Sequence, residues 1–436
     1  MRMSVIGCGY LGAVHAAAMA SIGHEVVGID TDPAKVADLA AGSAPFFEPH
    51  LDELLASGVA SGRLTFSGDF ADVAGSRVHF LAVGTPQLPD SSAADLRHVH
   101  AALAALVPHL RPGDVVAGKS TVPVGTAAAL RGAIEAAGAT LVWNPEFLRE
   151  GWAVQDTLHP DRLVVGAADD EAGRRATDVL REVFADSIAG GSPFIATDLA
   201  TAELVKGAAN AFLATKISFI NAMAEIAEAA GADVTLLADA IGHDTRIGRR
   251  FLGAGIGFGG GCLPKDIRAF AARAEELGRG GSVGFLREVD AINLRRREHA
   301  VRLVVDAFGG SVVGRRITML GAAFKPYSDD VRDSPALEVA IRLRGLGADV
   351  VVTDPEAIAN ARAVHPQLRY VADRDEALPG ADAIVLVTEW DLYRRELAPE
   401  HASALMPGRI VVDGRNCLDP AAWRAAGWTY LGMGRP

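Results

Sequence analysis

The chain opens with a short apolar run, Met3 to Ile6, followed by Gly7-Cys8-Gly9-Tyr10-Leu11-Gly12 and an alanine-rich stretch to about Ile22. Glu25-Val26-Val27-Gly28-Ile29 and then Asp30 come next. Strand, glycine-rich turn, helix, strand, acid describes a βαβ unit with a dinucleotide fingerprint, and few folds accommodate it. Gly7 permits the tight turn, Gly9 lets a pyrophosphate approach the helix N-terminus, and Gly12 allows the helix to pack closely on the strand. Asp30 stands where a carboxylate binds both ribose hydroxyls and repels a 2′-phosphate, which favours NAD over NADP.

Further strand-like runs follow at Val78 to Val83, Val115 to Ala117, Leu141 to Trp143 and Leu163 to Val165, with helical stretches between them. This alternation predicts a mostly parallel sheet with helices on both faces. The strand ends carry Gly84-Thr85-Pro86, Lys119-Ser120-Thr121-Val122-Pro123 and Asn144-Pro145-Glu146. Each alone is ordinary turn chemistry, but ligands of such sheets bind outside the carboxyl ends of strands, so together they should line one crevice.

From Asp198 to Ala230 the pattern is helical, with Glu203, Lys206 and Asn210 on one face, although charges on a helix ordinarily face solvent. A second helical block, Phe285 to Phe308, follows Gly280-Gly281 and reads as a connector helix and dimer contact. Its run Arg295-Arg296-Arg297-Glu298 reads as a solvated face. Another α/β unit begins at Ile317 to Gly321, with strands at Asp349 to Thr353, Ala383 to Val387 and Ile410 to Val412. It lacks a complete Gly-x-Gly-x-x-Gly and should bind something other than a dinucleotide. Lys325, Arg332 and Arg415 near its strand ends suggest an anion. The fold class is therefore α/β: two doubly wound Rossmann-like domains joined by a long central helix and a helical dimerisation region. The expected boundaries are 1–196 for the cofactor domain, 197–308 for the helical part with its connector helix, and 309–436 for the second α/β domain.

A chain of 436 residues, 50% hydrophobic and 22% charged, is long enough for two or three domains with large cores. A net charge of −12 argues against a nucleic-acid binder, while leaving room for a small anionic ligand held by local Arg and Lys. Three cysteines, Cys8, Cys262 and Cys417, make neither a disulfide framework nor a zinc site and fit a reducing compartment. The chain starts on a strand with no leader-like segment, and no apolar run approaches the length of a membrane span, so a cytoplasmic protein is expected.

Gly257-Phe258-Gly259-Gly260-Gly261-Cys262-Leu263-Pro264-Lys265-Asp266 sets one thiol in a glycine-rich loop. A thiol becomes a useful nucleophile when ionised near cations or a helix N-terminus, and glycines let backbone come close to a ligand. An isolated Gly-Cys is more often an inert turn, but the rest of the chain favours the nucleophile.

In this order, the fingerprint, the Lys119 to Pro123 turn, Asn144 to Gly151, Glu203-Leu204-Val205-Lys206 with Asn210, the Cys262 loop, Phe324-Lys325 and Asp413-Gly414-Arg415 resemble the UDP-glucose/GDP-mannose dehydrogenase family. The likeness runs from Met3 to about Asn416. It implies oxidation of a nucleotide-sugar C6 alcohol to a carboxylate with two NAD and one water, no metal, and a functional homodimer or higher assembly. The Lys-Ser-Thr-Val-Pro turn, Glu150-Gly151 and Asp413-Gly414-Arg415 lean toward UDP-glucose as substrate and UDP-glucuronate as product. GDP-mannose or a UDP-N-acetylhexosamine is the alternative.

By the same resemblance, Lys206, Asn210 and Asp266 with a water surround the reacting oxygen, Cys262 forms a thiohemiacetal and then a thioester, and Glu146 with Thr121 directs the hydrolytic water. NAD should meet Gly7, Gly9, Tyr10, Leu11, Gly12, Asp30, Lys35, Thr85, Pro86, Thr121, Glu150, Lys265 and Arg332. The sugar nucleotide should meet Glu146, Phe147, Leu148, Arg149, Glu150, Lys206, Asn210, Phe251, Gly255, Gly257, Phe258, Gly259, Phe324, Lys325 and Arg415, with Arg246 reaching the neighbouring subunit's substrate. Leu11 replaces a common valine, and Gly261 and Leu263 replace Ser and Phe around the thiol; none of these changes the expectation. Cys8 and Cys417 are expected to be inert.

Overall fold

The computed structural model describes residues 1–436, which divide into two compact units. Each is assembled from two stretches of chain: Met1–Ala209 with Ala269–Gly280, and Asn210–Arg268 with Gly281–Pro436.

The first unit holds β1 (Arg2–Ile6), β2 (Glu25–Ile29), β3 (Leu64–Ser67), β4 (Val78–Leu81), β5 (Val115–Gly118), β6 (Thr140–Trp143), β7 (Leu163–Gly166) and β8 (Phe194–Thr197). They form one sheet in the order β3-β2-β1-β4-β5-β6-β7-β8. β1 lies between β2 and β4, with Val5 opposite both Gly28 and Phe80, and only β6 and β7 run antiparallel, through the single pair Trp143 and Gly166. Alternate side chains leave the sheet on opposite faces, so Met3, Val5 and Phe80 enter one core while Ile6 and Leu81 enter the other. With both faces covered, the inner strands have no solvent side to mark with polar residues; β4, β5 and β7 are buried throughout. The helix Tyr10–Ser21 buries nine of its twelve residues, and its alanines let it lie close against the sheet.

The second unit holds β9 (Arg316–Leu320), β10 (Asp349–Thr353), β11 (Arg369–Tyr370), β12 (Ala383–Leu386), β13 (Ile410–Asp413) and β14 (Thr429–Gly432), ordered β11-β10-β9-β12-β13-β14 and parallel throughout. Strand for strand this repeats the order of β3-β2-β1-β4-β5-β6. Here the turn after the first strand is Gly321-Ala322-Ala323, with both alanines fully buried. Asp354, just after β10, accepts the N–H groups of Ala322 at 2.8 Å and Ala323 at 3.1 Å and the Trp390 indole at 3.1 Å, and is itself 1% exposed. The acid that meets a ribose in a dinucleotide site is here sealed inside its own turn. The corresponding turn of the second unit therefore offers no open acid to a ribose.

The arginine run of the helix Phe285–Ala307 is not a solvated face. Arg295 and Glu298 are exposed, but Arg296 and Arg297 are 0% and 2% exposed. Arg296 Nε donates to the Gly255 carbonyl at 3.2 Å, with Glu228 and Glu225 at 3.6 and 3.9 Å from its terminal nitrogens. Arg297 pairs with Asp333 at 2.8 Å and with Glu338, and donates to the Phe258 carbonyl at 3.1 Å. Buried guanidinium groups are tolerated only when paired in this way. Arg297→Met should lower the stability of the fold by about 3 kcal/mol, because it leaves two carboxylates and a carbonyl without their partner. An unchanged urea midpoint would show that the pairing is dispensable.

Candidate active site

The fingerprint turn is shaped for an anion. Gly7 has φ +87° and donates to the Ile29 carbonyl at 2.7 Å. A Cβ on Gly12 would lie 1.8 Å from the Gly7 carbonyl oxygen, whereas one on Gly9 would meet nothing within 4 Å. Gly12 is thus required by packing and Gly9 by the space in front of the helix. That helix has no side-chain cap and no acidic residue in its first turn, which leaves its N–H groups and dipole directed at the space beside Gly9. Asp30 accepts from the Cys8 N–H at 2.8 Å and the Asp32 N–H at 3.0 Å, and pairs with Lys35 at 3.0 Å. Burial alone would raise its pKa, but these hydrogen bonds and Lys35 outweigh it and hold the carboxyl below its usual value. The residues present therefore fit a dinucleotide. Cys8 is buried and its thiol is pushed far up by burial and by Asp30, so it is no nucleophile.

The carboxyl ends of β4, β5 and β6 are bonded to one another. Thr85 Oγ1 donates to the Thr121 carbonyl at 2.7 Å and Ser120 Oγ to the Val83 carbonyl at 2.6 Å. Lys119, 6% exposed, donates to Asn144 Oδ1 at 3.1 Å, and Asn144 donates to the Val164 carbonyl at 2.8 Å. Burial lowers the Lys119 pKa to about 8, with nearby Glu146 opposing the shift and Lys206 adding to it.

Glu146 follows directly in this turn. Its Oε1 lies 2.9 Å from Lys206 Nζ and its Oε2 accepts the Leu148 N–H at 2.7 Å. The Phe147 ring lies beneath Arg162 at 3.8 Å and within 5.7 Å of Lys206 Nζ. Arg149 is engaged with Asp156 at 2.6 Å, and Glu150 is buried.

Glu203, Lys206 and Asn210 do share a face of the helix Leu199–Ala230, but it is a buried face, against the default for charged residues. Glu203 accepts the N–H groups of Gly125 and Ala127 at 2.7 and 2.6 Å and so fixes the chain just beyond Thr121. One turn after Lys206, Asn210 Nδ2 donates to Asp266 Oδ2 at 2.6 Å, and Lys265 pairs with the other oxygen at 2.5 Å. Asp266 N–H in turn donates to the Cys262 carbonyl at 2.9 Å, in the first turn of the helix Leu263–Glu276. Cys262 is the exposed thiol of the three cysteines. Burial and Asp413 push the Cys417 thiol far up, which leaves it inert.

The glycines leading to Cys262 are also closely approached by the protein itself. A Cβ on Gly257 would strike Asn293 Oδ1 at 2.4 Å, one on Gly259 the Asp333 carbonyl at 2.2 Å, one on Gly260 the Phe324 ring at 2.7 Å, and one on Gly261 the Arg332 guanidinium at 2.3 Å. They are small because protein, not only ligand, comes close. The loop backbone is held by side chains: Gly255 N–H by Asn221 at 2.9 Å, and Phe258 N–H and carbonyl by Asn293 at 2.7 and 2.9 Å. Arg415 completes the set, donating to the carbonyls of Val387, Gly257 and Phe324 at 2.7, 3.0 and 3.0 Å and pairing with Glu389 at 3.3 Å. Its guanidinium ties three segments together rather than standing open to an anion.

Lys325 lies 5.1 Å from the Phe324 ring, and Arg332 is paired with Asp330 at 2.8 Å. Phe251 sits exposed with φ +66°, and Arg246 projects into solvent, paired with Asp244 at 2.7 Å. The sequence reading gave Lys119, Asn144 and Glu203 no role beyond their motifs and did not single out Asn293 or Glu48. For Glu203 the signal was its place on the Lys206 face; the others lie far in sequence from the groups they hold.

Residues 1–187 match the NAD binding domain of the UDP-glucose/GDP-mannose dehydrogenase family, residues 200–295 its central domain and residues 318–420 its UDP binding domain. A UDP-glucose 6-dehydrogenase from Rhizobium meliloti is 42% identical over 441 residues, covering 100% of both chains. One from Pseudomonas aeruginosa is 39% identical, covering 100% of this chain and 98% of its own. The solved UDP-glucose dehydrogenase of Pyrobaculum islandicum superposes with a TM-score of 0.89 at 40% identity, covering 100% of this chain and 98% of that one. A UDP-D-ManNAc dehydrogenase from Pyrococcus horikoshii reaches 0.86 at 26% identity, covering 100% and 99%. With all three of its domains matched in order and relatives aligned end to end, the chain belongs to the UDP-glucose/GDP-mannose dehydrogenase family.

Proposed function

We propose that this chain oxidises the C6 alcohol of UDP-glucose to the carboxylate of UDP-glucuronate, consuming two NAD and one water. The observation that carries this reading is the exposed Cys262, whose carbonyl is bonded to Asp266 in a cluster with a buried Asn210 and a half-buried Lys265, on a chain whose first turn fits a dinucleotide. The preference for UDP-glucose rests on relatives of that name at 39–42% identity, against 26% for the solved N-acetylmannosamine relative.

NAD held at Gly7, Gly9, Gly12 and Asp30 supplies the hydride acceptor for both two-electron steps. The chain's own residues do the rest. A water held at Asp266 takes the C6 hydroxyl proton as the alcohol becomes an aldehyde, with Lys206 and Asn210 polarising the oxygen. The Cys262 sulfur adds to the aldehyde carbon, forming a C–S bond, and the oxygen becomes a thiohemiacetal hydroxyl. Loss of the second hydride and of that proton leaves a thioester. Water then adds to the thioester carbon, the C–S bond breaks, and the sulfur leaves as thiolate. Glu146, 2.9 Å from Lys206, takes the water proton, and Thr121 helps to hold that water. Covalent capture keeps the aldehyde from escaping between the oxidations. In this reading residues 1–196 serve the cofactor, 197–308 the chemistry and assembly, and 309–436 the UDP moiety. A nucleophilic thiol and three unbridged cysteines suit a reducing compartment, the cytoplasm.

A second copy of the chain is the proposed partner. Phe212, Phe219 and Ile226 recur at seven-residue spacing on one face of the helix Leu199–Ala230 and are 68%, 49% and 59% exposed. Such a stripe on a helix calls for a partner helix. Phe212→Glu with Phe219→Glu should convert the assembly to monomer by light scattering; a dimer that survives both changes would place the interface elsewhere.

NADH yield per mole of sugar nucleotide tests the reaction. UDP-glucose should give two NADH per molecule, and a yield of one, or turnover of GDP-mannose instead, would overturn the reading. Cys262→Ser should cut uronate formation by about a thousandfold or more, because a serine hydroxyl is a far weaker nucleophile than a thiolate. Uronate formation at the unmodified rate would remove Cys262 from the mechanism.

A further inference from the structure

Glu48 belongs to none of the motifs above, yet two turns assigned to different ligands are both bonded to its carboxylate. Oε1 accepts the Ala153 N–H at 2.7 Å. Oε2 accepts the Gly151 N–H at 2.6 Å and also the Tyr10 hydroxyl. The Gly151 N–H lies 3.1 Å from the Tyr10 oxygen as well, so Tyr10, Glu48 and Gly151 close a three-membered ring of hydrogen bonds. Phe46, two residues earlier, lies against the Tyr10 ring at 4.9 Å between centroids. Glu48 is 6% exposed.

Tyr10 is the first residue of the helix that follows the fingerprint, and Gly151 directly follows the Glu146 to Glu150 segment. A carboxylate that served only to cap the short helix Ala153–Leu158 would need no contact with the cofactor turn. One that worked as an acid or base would have to face the substrate, whereas Glu48 is 6% exposed and its carboxylate takes three protein donors, Ala153, Gly151 and Tyr10. What remains is a mechanical role. The bonds from Gly151 and Ala153 to Glu48 are buried and those of the Tyr10 hydroxyl part-buried, and in such surroundings losing one partner costs more than the bond itself contributes.

We propose that Glu48 is a positioning residue that locks the cofactor turn and the Glu146–Glu150 segment into one rigid piece, so that the site for either ligand depends on the same buried carboxylate. This rests on the reading of the chain as an NAD-dependent nucleotide-sugar dehydrogenase. The test is calorimetric titration of the full chain with NAD alone and with UDP-glucose alone, for the parent, Glu48→Gln, Tyr10→Phe and the double variant. Glutamine keeps the size but sets an NH2 group against a backbone N–H. Glu48→Gln should weaken both ligands by about fivefold or more, although the carboxylate touches neither. Tyr10→Phe should weaken UDP-glucose too, although Tyr10 belongs to the cofactor turn, and the double variant should be no worse than Glu48→Gln, since the residues act as one unit. A carboxylate that only stabilised the fold would lower the melting temperature and leave both dissociation constants within about twofold of the parent below that temperature. That result, or a loss confined to NAD, overturns the inference while the parent still binds both ligands. A parent chain that binds neither overturns the functional reading, and the inference with it.

Discussion

A run of glycines has no side chains with which to hold itself, so its shape must be imposed from outside. In this chain that constraint falls on Asn293. Its amide accepts the Phe258 N–H and donates to the Phe258 carbonyl, closing both backbone groups of one residue from one buried side chain. Asn221, Arg296, Arg297 and Arg415 do the same for Gly255, Gly257 and again Phe258. Arg297 is paired with Asp333 and Glu338, while the terminal nitrogens of Arg296 meet Glu228 and Glu225 at 3.6 and 3.9 Å, so acids offset the charge of both buried guanidinium groups. The backbone of Gly255 and Phe258, just before the thiol, is thereby pinned to the helix Phe285–Ala307. Catalysis by a fixed nucleophile depends on such rigidity, because a displacement of about 1 Å can cost a hundredfold in rate.

The two sheets make a controlled comparison of one topology used in two ways. Both place their first strand centrally and both follow the second strand with an aspartate. In the first unit Gly9 leaves open space before an uncapped helix, and Asp30 keeps part of its carboxylate at the surface. In the second, a buried Ala323 stands where the first has Gly9, and Asp354 accepts from the Ala323 N–H and the Trp390 indole as well as from the Ala322 N–H. One methyl group, on Ala323 where the first turn has Gly9, and the burial of the carboxylate separate the two turns. Topology fixes where a ligand could go, and the turn residues decide which ligand can.

How much of this could be read from the sequence follows from where each signal lies. The inner strands announced themselves as continuous apolar runs, because both sheet faces are covered. The four strands that escaped notice, β3, β8, β11 and β14, are the edges of the two sheets. β11 is only two residues long, and β3, β8 and β11 are mostly half-buried or exposed, so they lack the apolar run that marks an inner strand. The local motifs around Gly7, Lys119, Glu146 and Cys262 were visible because their chemistry is carried by neighbours in sequence. Arg296 and Arg297 were misread, since a charged run gives no hint that Glu228, Asp333 and Glu338 wait for it elsewhere in the chain. Arg415 was recognised by position but its donors were assigned to a ligand, when most of them hold carbonyls. Long-range hydrogen bonds of this kind leave no periodic trace.

The placement of the three sulfurs bears on how such an enzyme would age. Cys262 faces solvent, while Cys8 and Cys417 are held as thiols in environments that oppose ionisation. A first oxidation at Cys262 would give a sulfenic acid, which is rescued most readily when a second, reactive cysteine condenses with it to a disulfide. Neither of the other two sulfurs is chemically suited to that task. Recovery from peroxide would fall to small thiols arriving from the surroundings, and without them the lesion would advance to forms that no reductant in the chain can reverse.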